Sequence, residues 1–556
     1  MSIVIQSIAD SGKYLVTCDS NEEYLMKQVP GGKLKTRAGQ KQWEWPMTPF
    51  TMLNMVEEWQ GNSVLIDKLF ETSYPMVAEL YYRDINALST EASYFHITKP
   101  WDHQNRAFHF LYPLHSGALF ADMRTGKTKV VLDLIRNRNH RKTLVVCPKS
   151  AMLSWRNEAF THLGSDIKVS VLTGPIKDRI GWLRLQNKRT HNTHIFITNY
   201  ESLARADFAN ELAEFKFHLI VADEAHKIKS PSGVISKTLF RLGKTVPYRL
   251  ALTGTPAADK PLDIFGIYRF LDESMFGTFA DMKRRYAITE SRSNRTGQRW
   301  EEIVGYVRQE ELHERMYRVA FRVTESILSL PDRLDVTVPV ELSNENAKAY
   351  IRMKNDSIVQ IAESVATGAN ILSRMMRLQQ ITSGYIGDED NESKPIRIGS
   401  DKSEALVDIL ENLPDSEPIV VFCRFHEDLE QIKMCASLTN REYNELSGRV
   451  NQLEEWRSAT GGEVIGVQIA AGSAGIDLSR SSSVIYYSKT FSLAEYKQSR
   501  SRVVKANKAK NITYWHLVAE YGGKSTIDAV IEEALAAKKS TTDYLVDWLR
   551  QGGQNE

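Results

Sequence analysis

No apolar stretch in the 556 residues approaches the roughly 18–20 needed to span a bilayer. The opening Met1-Ser2-Ile3-Val4 also lacks the basic segment and long apolar run of a secretory leader. These absences argue against a membrane partner or export, and we expect a soluble, cytoplasmic chain. Cysteine is scarce: Cys18, Cys147, Cys423 and Cys435 are scattered, without C-x-x-C or Cys/His ligand spacing. Neither a zinc site nor a disulfide framework is expected, and buried free thiols are the plain reading. Net charge is nearly absent, +2 overall, so bulk charge names no partner. What remains is an ordinary globular composition, 42% hydrophobic and 25% charged, long enough for two to four packed units.

Texture along the chain divides it. Residues 1–95 read as a small α+β domain: strands at Ile3-Val4-Ile5 and Tyr14-Leu15-Val16, a Pro30-Gly31-Gly32 turn, and a helix after Pro49. Between them lies a basic loop (Lys27, Lys33, Lys35, Arg37, Lys41) running into Trp43-Glu44-Trp45-Pro46. From 96 to 270 short apolar runs such as Thr143–Val146, His194–Thr198 and Leu219–Ala222 alternate with helical patterns, which predicts a parallel sheet. Residues 271–335 read as a helical, charged linker without strands, carrying a second basic stretch from Lys283 to Arg299. A second alternating block covers 336–525, with a helical insertion near 345–395, and 526–556 reads as a helical tail. A third basic stretch runs from Lys497 to Lys510. Basic stripes on a near-neutral chain suit either a polyanion-binding face or plain solvated lysines.

Two motifs carry chemistry. Ala121-Asp-Met-Arg124-Thr125-Gly126-Lys127-Thr128 ends in Gly-Lys-Thr before a helical pattern. In such a loop the backbone N–H groups cradle phosphates, the lysine reaches the β/γ-phosphates and the Thr128 hydroxyl ligates Mg²⁺. Ala121 stands where the full pattern has its first glycine. Leu219-Ile-Val-Ala-Asp223-Glu224-Ala-His226 sets two carboxylates at the end of an apolar strand, where ligands bind in open α/β sheets. Asp223 would hold Mg²⁺ through its water shell and Glu224 would polarise the attacking water. Alone, such a pair also serves as a helix N-cap; beside Lys127 it indicates an NTPase.

From about residue 96 to 540 these motifs, with others in order, resemble the Swi/Snf-type DNA translocases among superfamily 2 helicase-like ATPases. Gln104 in Pro-Trp-Asp-His-Gln looks like the adenine-reading glutamine. Val145-Val-Cys-Pro-Lys149-Ser150 with Trp155, and Ile197-Thr-Asn199-Tyr-Glu201, are similar to motifs that lie along the DNA backbone. Leu252-Thr253-Gly-Thr-Pro256 matches the motif coupling ATP to the DNA track. In the second block Val420–Phe425, containing Arg424, and Ala471-Gly-Ser473-Ala-Gly475-Ile-Asp477-Leu478 stand where the family has motifs IV and V, and Gln498-Ser-Arg500-Ser-Arg502-Val-Val-Lys505 has the spacing of motif VI.

The resemblance implies two tandem RecA-like parallel-sheet lobes with helical insertions, ATP and Mg²⁺ as cofactors, and a DNA-dependent ATPase. It places Gln104, Arg124, Thr125, Gly126, Lys127, Thr128, Asp223, Glu224, Gly475, Asp477 and Gln498 around the nucleotide. Lys127, Glu224 and the cluster Arg500, Arg502 and Lys505 would be catalytic, with Thr128 and Asp223 at the metal. Lys149, Ser150, Asn199, Thr253, Arg424 and Ser473 would meet DNA. Two departures stand out. Arg124 replaces a glycine, which is strained if the position needs a positive φ. Lys505 replaces an arginine whose planar fork lysine cannot reproduce, so Arg502, helped by Arg500, is expected to act as the finger. The N-terminal domain resembles the HARP-type recognition domain of annealing and phage branch-migration helicases. That implies branched DNA (a fork or Holliday junction) as partner, with single-strand-binding or replication proteins beside it. Lys33, Lys35 and Arg37 would track phosphate. Trp43 and Trp45 are either both core, or divided between core and a base-stacking role for Trp43.

Overall fold

The computed structural model describes residues 4–8, 13–18, 23–37, 40–46, 48–59, 88–91, 93–165, 167–187, 193–254, 256, 260–293, 299–327, 331–363, 368–386, 395–471, 476–504 and 510–537. Ser473, Gly475, Lys505 and the side chain of Arg37 lie outside this description, as does the tail after 537. The chain divides into two compact units, residues 1–325 and 326–556.

Unit one opens with four strands, β1 (Val4–Ile8), β2 (Lys13–Thr17), β3 (Lys33–Arg37) and β4 (Gln40–Pro46), in an antiparallel sheet ordered β1-β2-β4-β3. The Pro30-Gly31-Gly32 turn leads into β3: Gly31 has φ +80°, and a Cβ on Gly32 would stand 2.7 Å from the Trp45 ring. Helix Pro49–Glu58 starts at Thr48, whose hydroxyl accepts from Thr51 N at 3.1 Å. Its Met52, Met55 and Val56 pack on Tyr14, Val16, Trp43 and Trp45.

A divided role for the two tryptophans is corrected here. Residues two apart in a strand share a face, so Trp43 and Trp45 both point inward, 7% and 1% exposed, with ring centroids 5.8 Å apart. Both are core, and Trp43 has no open face on which a base could stack. The module is tied to the remainder of unit one through Asn54, which donates to Ser274 O (2.8 Å) and Met275 O (3.2 Å). Arg315 donates to Asn54 Oδ1 (3.1 Å) and Glu58 (2.7 Å).

The rest of unit one is built on β5 (Ser116–Ala121), β6 (Lys142–Cys147), β7 (Lys168–Val171), β8 (His194–Asn199), β9 (Leu219–Asp223), β10 (Tyr248–Thr253), β11 (Ala287–Ser293), β12 (Arg299–Tyr306) and β13 (Ala320–Val323). Seven of these form one sheet, β13-β5-β10-β9-β6-β8-β7, in which every pairing is parallel. The central strands are buried along their length, as their continuous apolar runs predict. Parallel pairing requires a crossover after each strand, and helices Lys127–Asn137 and Met152–Leu163 are two of them.

The expectation that 271–335 is helical without strands is also corrected. Helices Phe279–Tyr286 and Gln309–Tyr317 are present, but β11 and β12 form an antiparallel hairpin and β13 joins the main sheet beside β5. The hairpin is exposed on nearly every residue, so no apolar alternation marks it. Its strands are linked by surface ion pairs such as Arg292–Glu302.

Unit two contains β14 (Arg333–Glu341), β15 (Tyr385–Ile386), β16 (Ile396–Arg397), β17 (Ile419–Cys423), β18 (Tyr443–Leu446), β19 (Val464–Gln468), β20 (Ser483–Tyr486), β21 (Ile512–Tyr521) and β22 (Lys524–Ser525). Its main sheet runs β14-β21-β20-β17-β19-β18, parallel throughout, with β22 folding back on β21. The insertion is helical as expected, Asn344–Glu363 and Gly368–Thr382, and the tail begins with helix Ile527–Ala536. Tyr350, Met375, Leu378, Val530 and Ile531 from these three helices share one apolar cluster. The expected α/β class with two parallel-sheet lobes is therefore what the chain adopts. Among the described residues no helix is long and apolar enough to cross a membrane.

Arg315 is only 4% exposed and shares Glu58 and Glu311 with Arg285. Replacing it with methionine leaves the partly buried carboxylates of Glu58 and Glu311 under-compensated, and should cost about 2 kcal/mol. Denaturant unfolding of Arg315→Met measures this, and limited proteolysis should show the N-terminal module cleaved away first.

Candidate nucleotide site and nucleic-acid contacts

Because the strands are parallel, the ends of β5, β6, β8, β9 and β10 open on one edge of the sheet. That edge collects the loop after Ala121, Lys149, Asn199, Asp223 and Thr253 from segments far apart in sequence.

The phosphate loop leaves β5 at Ala121 and enters helix Lys127–Asn137 through Gly126, at φ +76°. Helix-start N–H groups there face the loop, the arrangement that suits a phosphate. The loop is braced from inside and out. Thr125 Oγ1 donates to Asp122 O at 2.7 Å, and Lys127 Nζ to Ala121 O at 2.9 Å. Asp122 accepts from Arg322 (2.9 Å) and from Glu325 N (3.0 Å), while Arg322 also reaches Gly254 O at 3.1 Å. Arg322 thus ties the phosphate loop to the segment after Thr253, a link the sequence did not reveal. Arg124 has φ +64°. The position does require the left-handed region, and arginine there carries a strain of about 1–2 kcal/mol.

Gln104 is buried, and its amide is held at both ends: Nε2 donates to Thr125 O at 3.2 Å and Oε1 accepts from Trp101 N at 2.9 Å. A ring nitrogen of His103 also lies 2.8 Å from Thr125 O. A Cβ on Gly126 would stand 2.1 Å from Gln104 Nε2, so glycine is needed for contact as well as for φ.

Asp223 ends β9 almost buried. Its Oδ2 accepts from Trp155 Nε1 at 2.8 Å and its Oδ1 from Glu224 N at 3.0 Å, while its backbone O accepts from Tyr200 OH at 2.7 Å. Burial pushes its carboxyl above the usual carboxylate range, and the Glu224 carboxylate adds to the rise against the pull of Lys127. Glu224 sits at φ +53°, and its Oε2 lies 3.3 Å from His226 Nδ1, itself 3.3 Å from Thr253 Oγ1. A chain of polar groups therefore joins the second carboxylate to the end of β10.

Sequence reasoning missed the neighbours on helix Met152–Leu163. Trp155 orients Asp223, and Glu158, three residues on and so on the same helical face, accepts from Ser154 Oγ at 3.4 Å. Burial raises the Glu158 carboxyl; the nearby Thr128 hydroxyl lowers it and Asp223 raises it again. The Trp-x-x-Glu spacing was the available signal. Thr128 and Asp223 suit a Mg²⁺ that keeps most of its water shell. Among the described residues no cluster of three or more His, Cys, Asp or Glu forms a dedicated metal cage. When bound, Mg²⁺ would neutralise charge building on the phosphates.

In unit two, Gln498 and Arg502 are one helical turn apart on helix Leu493–Val503, and Arg500 lies between them on another face. Arg500 is bidentate on Asp335 and stacks 4.0 Å over Tyr514. Burial disfavours both charges, yet the hydrogen bonds to Asp335 outweigh it: Arg500 is held above its ordinary pKa and Asp335, bonded also by His516, well below. The expected helping role of Arg500 is therefore corrected to a structural one. Arg502 is half-buried, and its carbonyl accepts from Leu478 N at 2.9 Å. Asp477 Oδ1 accepts from Ser479 N at 2.9 Å.

The expected DNA contacts fall into different settings. Lys149 and Ser150 are exposed in a short 3₁₀ turn, and Lys33 and Lys35 are exposed on edge strand β3, Lys35 paired with Glu44 at 2.9 Å. Asn199 and Thr253 are buried, and Asn199 is bonded within its own loop to Glu201 and Ser202. Arg424 lies over Phe491 at 4.0 Å, with Nη1 buried and unpartnered and burial lowering its pKa to about 10.

A phosphate loop opening a helix, an acidic pair two strands away in the same parallel sheet and a second parallel-sheet unit define a tandem RecA-like nucleotide-binding protein. The chain belongs to the SNF2-related family: it matches the SNF2-related domain over residues 13–384 and the helicase conserved C-terminal domain over 401–507. It is 25% identical over 431 residues to the uncharacterized ATP-dependent helicase MG018 of Mycoplasma genitalium, covering 74% of this chain and 38% of that protein. It is 23% identical over 410 residues to the DNA repair and recombination protein RDH54 of Saccharomyces cerevisiae, covering 68% of this chain and 42% of the yeast protein. The chain thus spans about four-tenths of these relatives. The Sulfolobus solfataricus SWI2/SNF2 ATPase core in complex with dsDNA has a TM-score of 0.39 at 22% identity, covering 83% of this chain and 95% of that one.

Trp155→Phe keeps most of the ring but removes the donor to Asp223. A hydrogen bond to a charged group contributes ~1.5–3 kcal/mol, so Mg²⁺-dependent nucleotide affinity should fall by about tenfold or more. Fluorescent-nucleotide titration at graded Mg²⁺ tests this, and the Mg²⁺-independent part of binding should change little.

Proposed function

We propose that the chain is a DNA-dependent ATPase that translocates on duplex DNA and uses that motion to remodel branched DNA, by branch migration, fork regression or strand annealing. The observation that carries this reading is the meeting of Lys127, Thr128, Asp223 and Glu224 at the carboxyl edge of one parallel sheet. Lys127 would neutralise the β/γ-phosphates, Thr128 and Asp223 would hold Mg²⁺ and Glu224 would align and deprotonate the attacking water; Arg502, carried by unit two, is the candidate transition-state cation. Exposed Lys149 and Ser150 on the same edge would hold phosphates, giving sequence-tolerant, salt-sensitive binding. The branched-DNA specificity is assigned to the N-terminal module, which is bolted to the ATPase sheet through Arg315 and Glu58 and so can pass a grip on a junction to the motor. The HARP-like reading of residues 1–95 belongs with this proposal. A second reading, a nucleotide-dependent clamp on DNA with slow hydrolysis, is favoured by the strained Arg124.

ATPase rates with no DNA, single strand, duplex and a four-way junction test the proposal. Stimulation should rise from duplex to junction. Equal stimulation by duplex and junction would remove the branched-DNA part and point to displacement of proteins from duplex. No stimulation by any DNA would overturn the motor altogether. Glu224→Gln should bind ATP as the unmodified protein does but turn over at least ~10²-fold more slowly; near-normal turnover would reject Glu224 as the base.

A further inference from the structure

Where the N-terminal module meets helix Phe279–Tyr286 and the start of helix Gln309–Tyr317, all within unit one, there is a cavity of about 440 Å³. That volume falls in the range of small-ligand sites. Its charged lining is lopsided: Lys27, Arg284, Arg285, Arg308 and Arg315 against the single carboxylate of Asp281. Two of the cations are structural, since Arg285 and Arg315 both bond Glu58 and Glu311 behind the wall. Among the described residues the other three have only long pairings at a wet surface: Arg284 to Asp281 at 3.4 Å, Arg308 to Glu311 at 3.9 Å and Lys27 to Glu23 at 3.8 Å, each side chain more than half exposed. Such pairs contribute little and break readily, so these cations can turn to an entering anion.

The same wall contains Trp43, whose buried indole N–H has no acceptor among the described residues. The turn at Pro30-Gly31-Gly32 forms another side, where backbones approach so closely that a Cβ on Gly277 would stand 2.9 Å from Gly31 N. The cavity is therefore walled by backbone and a fixed tryptophan and ringed by cations from both sides of the seam.

We propose that this seam cavity binds phosphate groups of an unpaired nucleic-acid strand, with Arg284, Arg308 and Lys27 as the phosphate contacts. Guanidinium forks match phosphate oxygens bidentately. A strand held here lies against both the module and the ATPase unit. The inference rests on the DNA-directed reading above for the source of the phosphate.

The test uses the full chain. Arg284→Glu/Arg308→Glu is compared with Arg241→Glu/Lys244→Glu, an equal charge change at exposed residues of helix Val234–Gly243 and its C-cap. Anisotropy measures binding to a fork with a single-stranded arm and to a blunt duplex, at several salt concentrations. The cavity variant should lose at least ~10-fold in fork affinity, and its salt slope should fall by about 0.7 per lost single-strand phosphate contact; the comparison variant should lose less than about twofold. Equal losses in both variants, or none in either, would overturn the proposal. If the unmodified protein binds neither DNA, the DNA-directed reading fails separately. Calorimetry with inorganic pyrophosphate in a Lys127→Ala background, which silences the nucleotide loop, then decides the cavity. Binding abolished by the added Arg284→Glu/Arg308→Glu change retains it as a free-phosphate site, and absent or unaffected binding removes it.

Discussion

Parallel strand pairing is the constraint on which the rest of this molecule depends. A parallel sheet points the carboxyl ends of all its strands to one edge, and the loops leaving that edge are free of ladder hydrogen bonds. Ala121, Cys147, Asn199, Asp223 and Thr253 end five neighbouring strands, so the chemistry of five distant segments meets without any of them leaving its strand. The apolar strand interiors supply the rigidity. Buried along their length, they cannot shift register without exposing their side chains or burying a loop.

Around that edge, polar side chains set the geometry that the backbone leaves open. Trp155 and the Glu224 N–H hold the two oxygens of Asp223. Arg322 bridges the phosphate loop and the segment after β10, and His226 lies between Glu224 and Thr253. A change at the nucleotide therefore has short polar routes to the loops that would meet DNA. Two positive-φ residues, Arg124 and Glu224, also lie at that edge, held by their surroundings as functional strain commonly is. Arg500 shows the opposite use of charge. Its fork on Asp335 joins helix Leu493–Val503 to β14, positioning the helix that carries Gln498 and Arg502.

The parts of this arrangement legible in the sequence were those with a strong period or a fixed spacing. Continuous apolar runs announced the parallel sheets, Gly-Lys-Thr the phosphate loop, and Asp-Glu after an apolar strand the acidic pair. The exposed hairpin at 287–306 escaped because strands with no buried face show no alternation. That Trp43 and Trp45 share a core face follows from their spacing of two once one strand, Gln40–Pro46, is seen to run through both. Arg500 was drawn into the finger cluster by proximity in sequence, although a spacing of two on a helix sends its side chain away from Gln498 and Arg502.

What the amino-acid order determined by itself was local: which runs become buried strands, where a helix begins on a phosphate loop, and which side chains carry the chemistry. Those features depend on periodicity and residue type, both one-dimensional properties. Only the tertiary structure decided that Trp155 grips Asp223, that Arg322 spans two loops and that cations from two segments ring one cavity. Each of these joins residues far apart in the chain, and such a pairing depends on strand order and helix rotation, which no local pattern encodes.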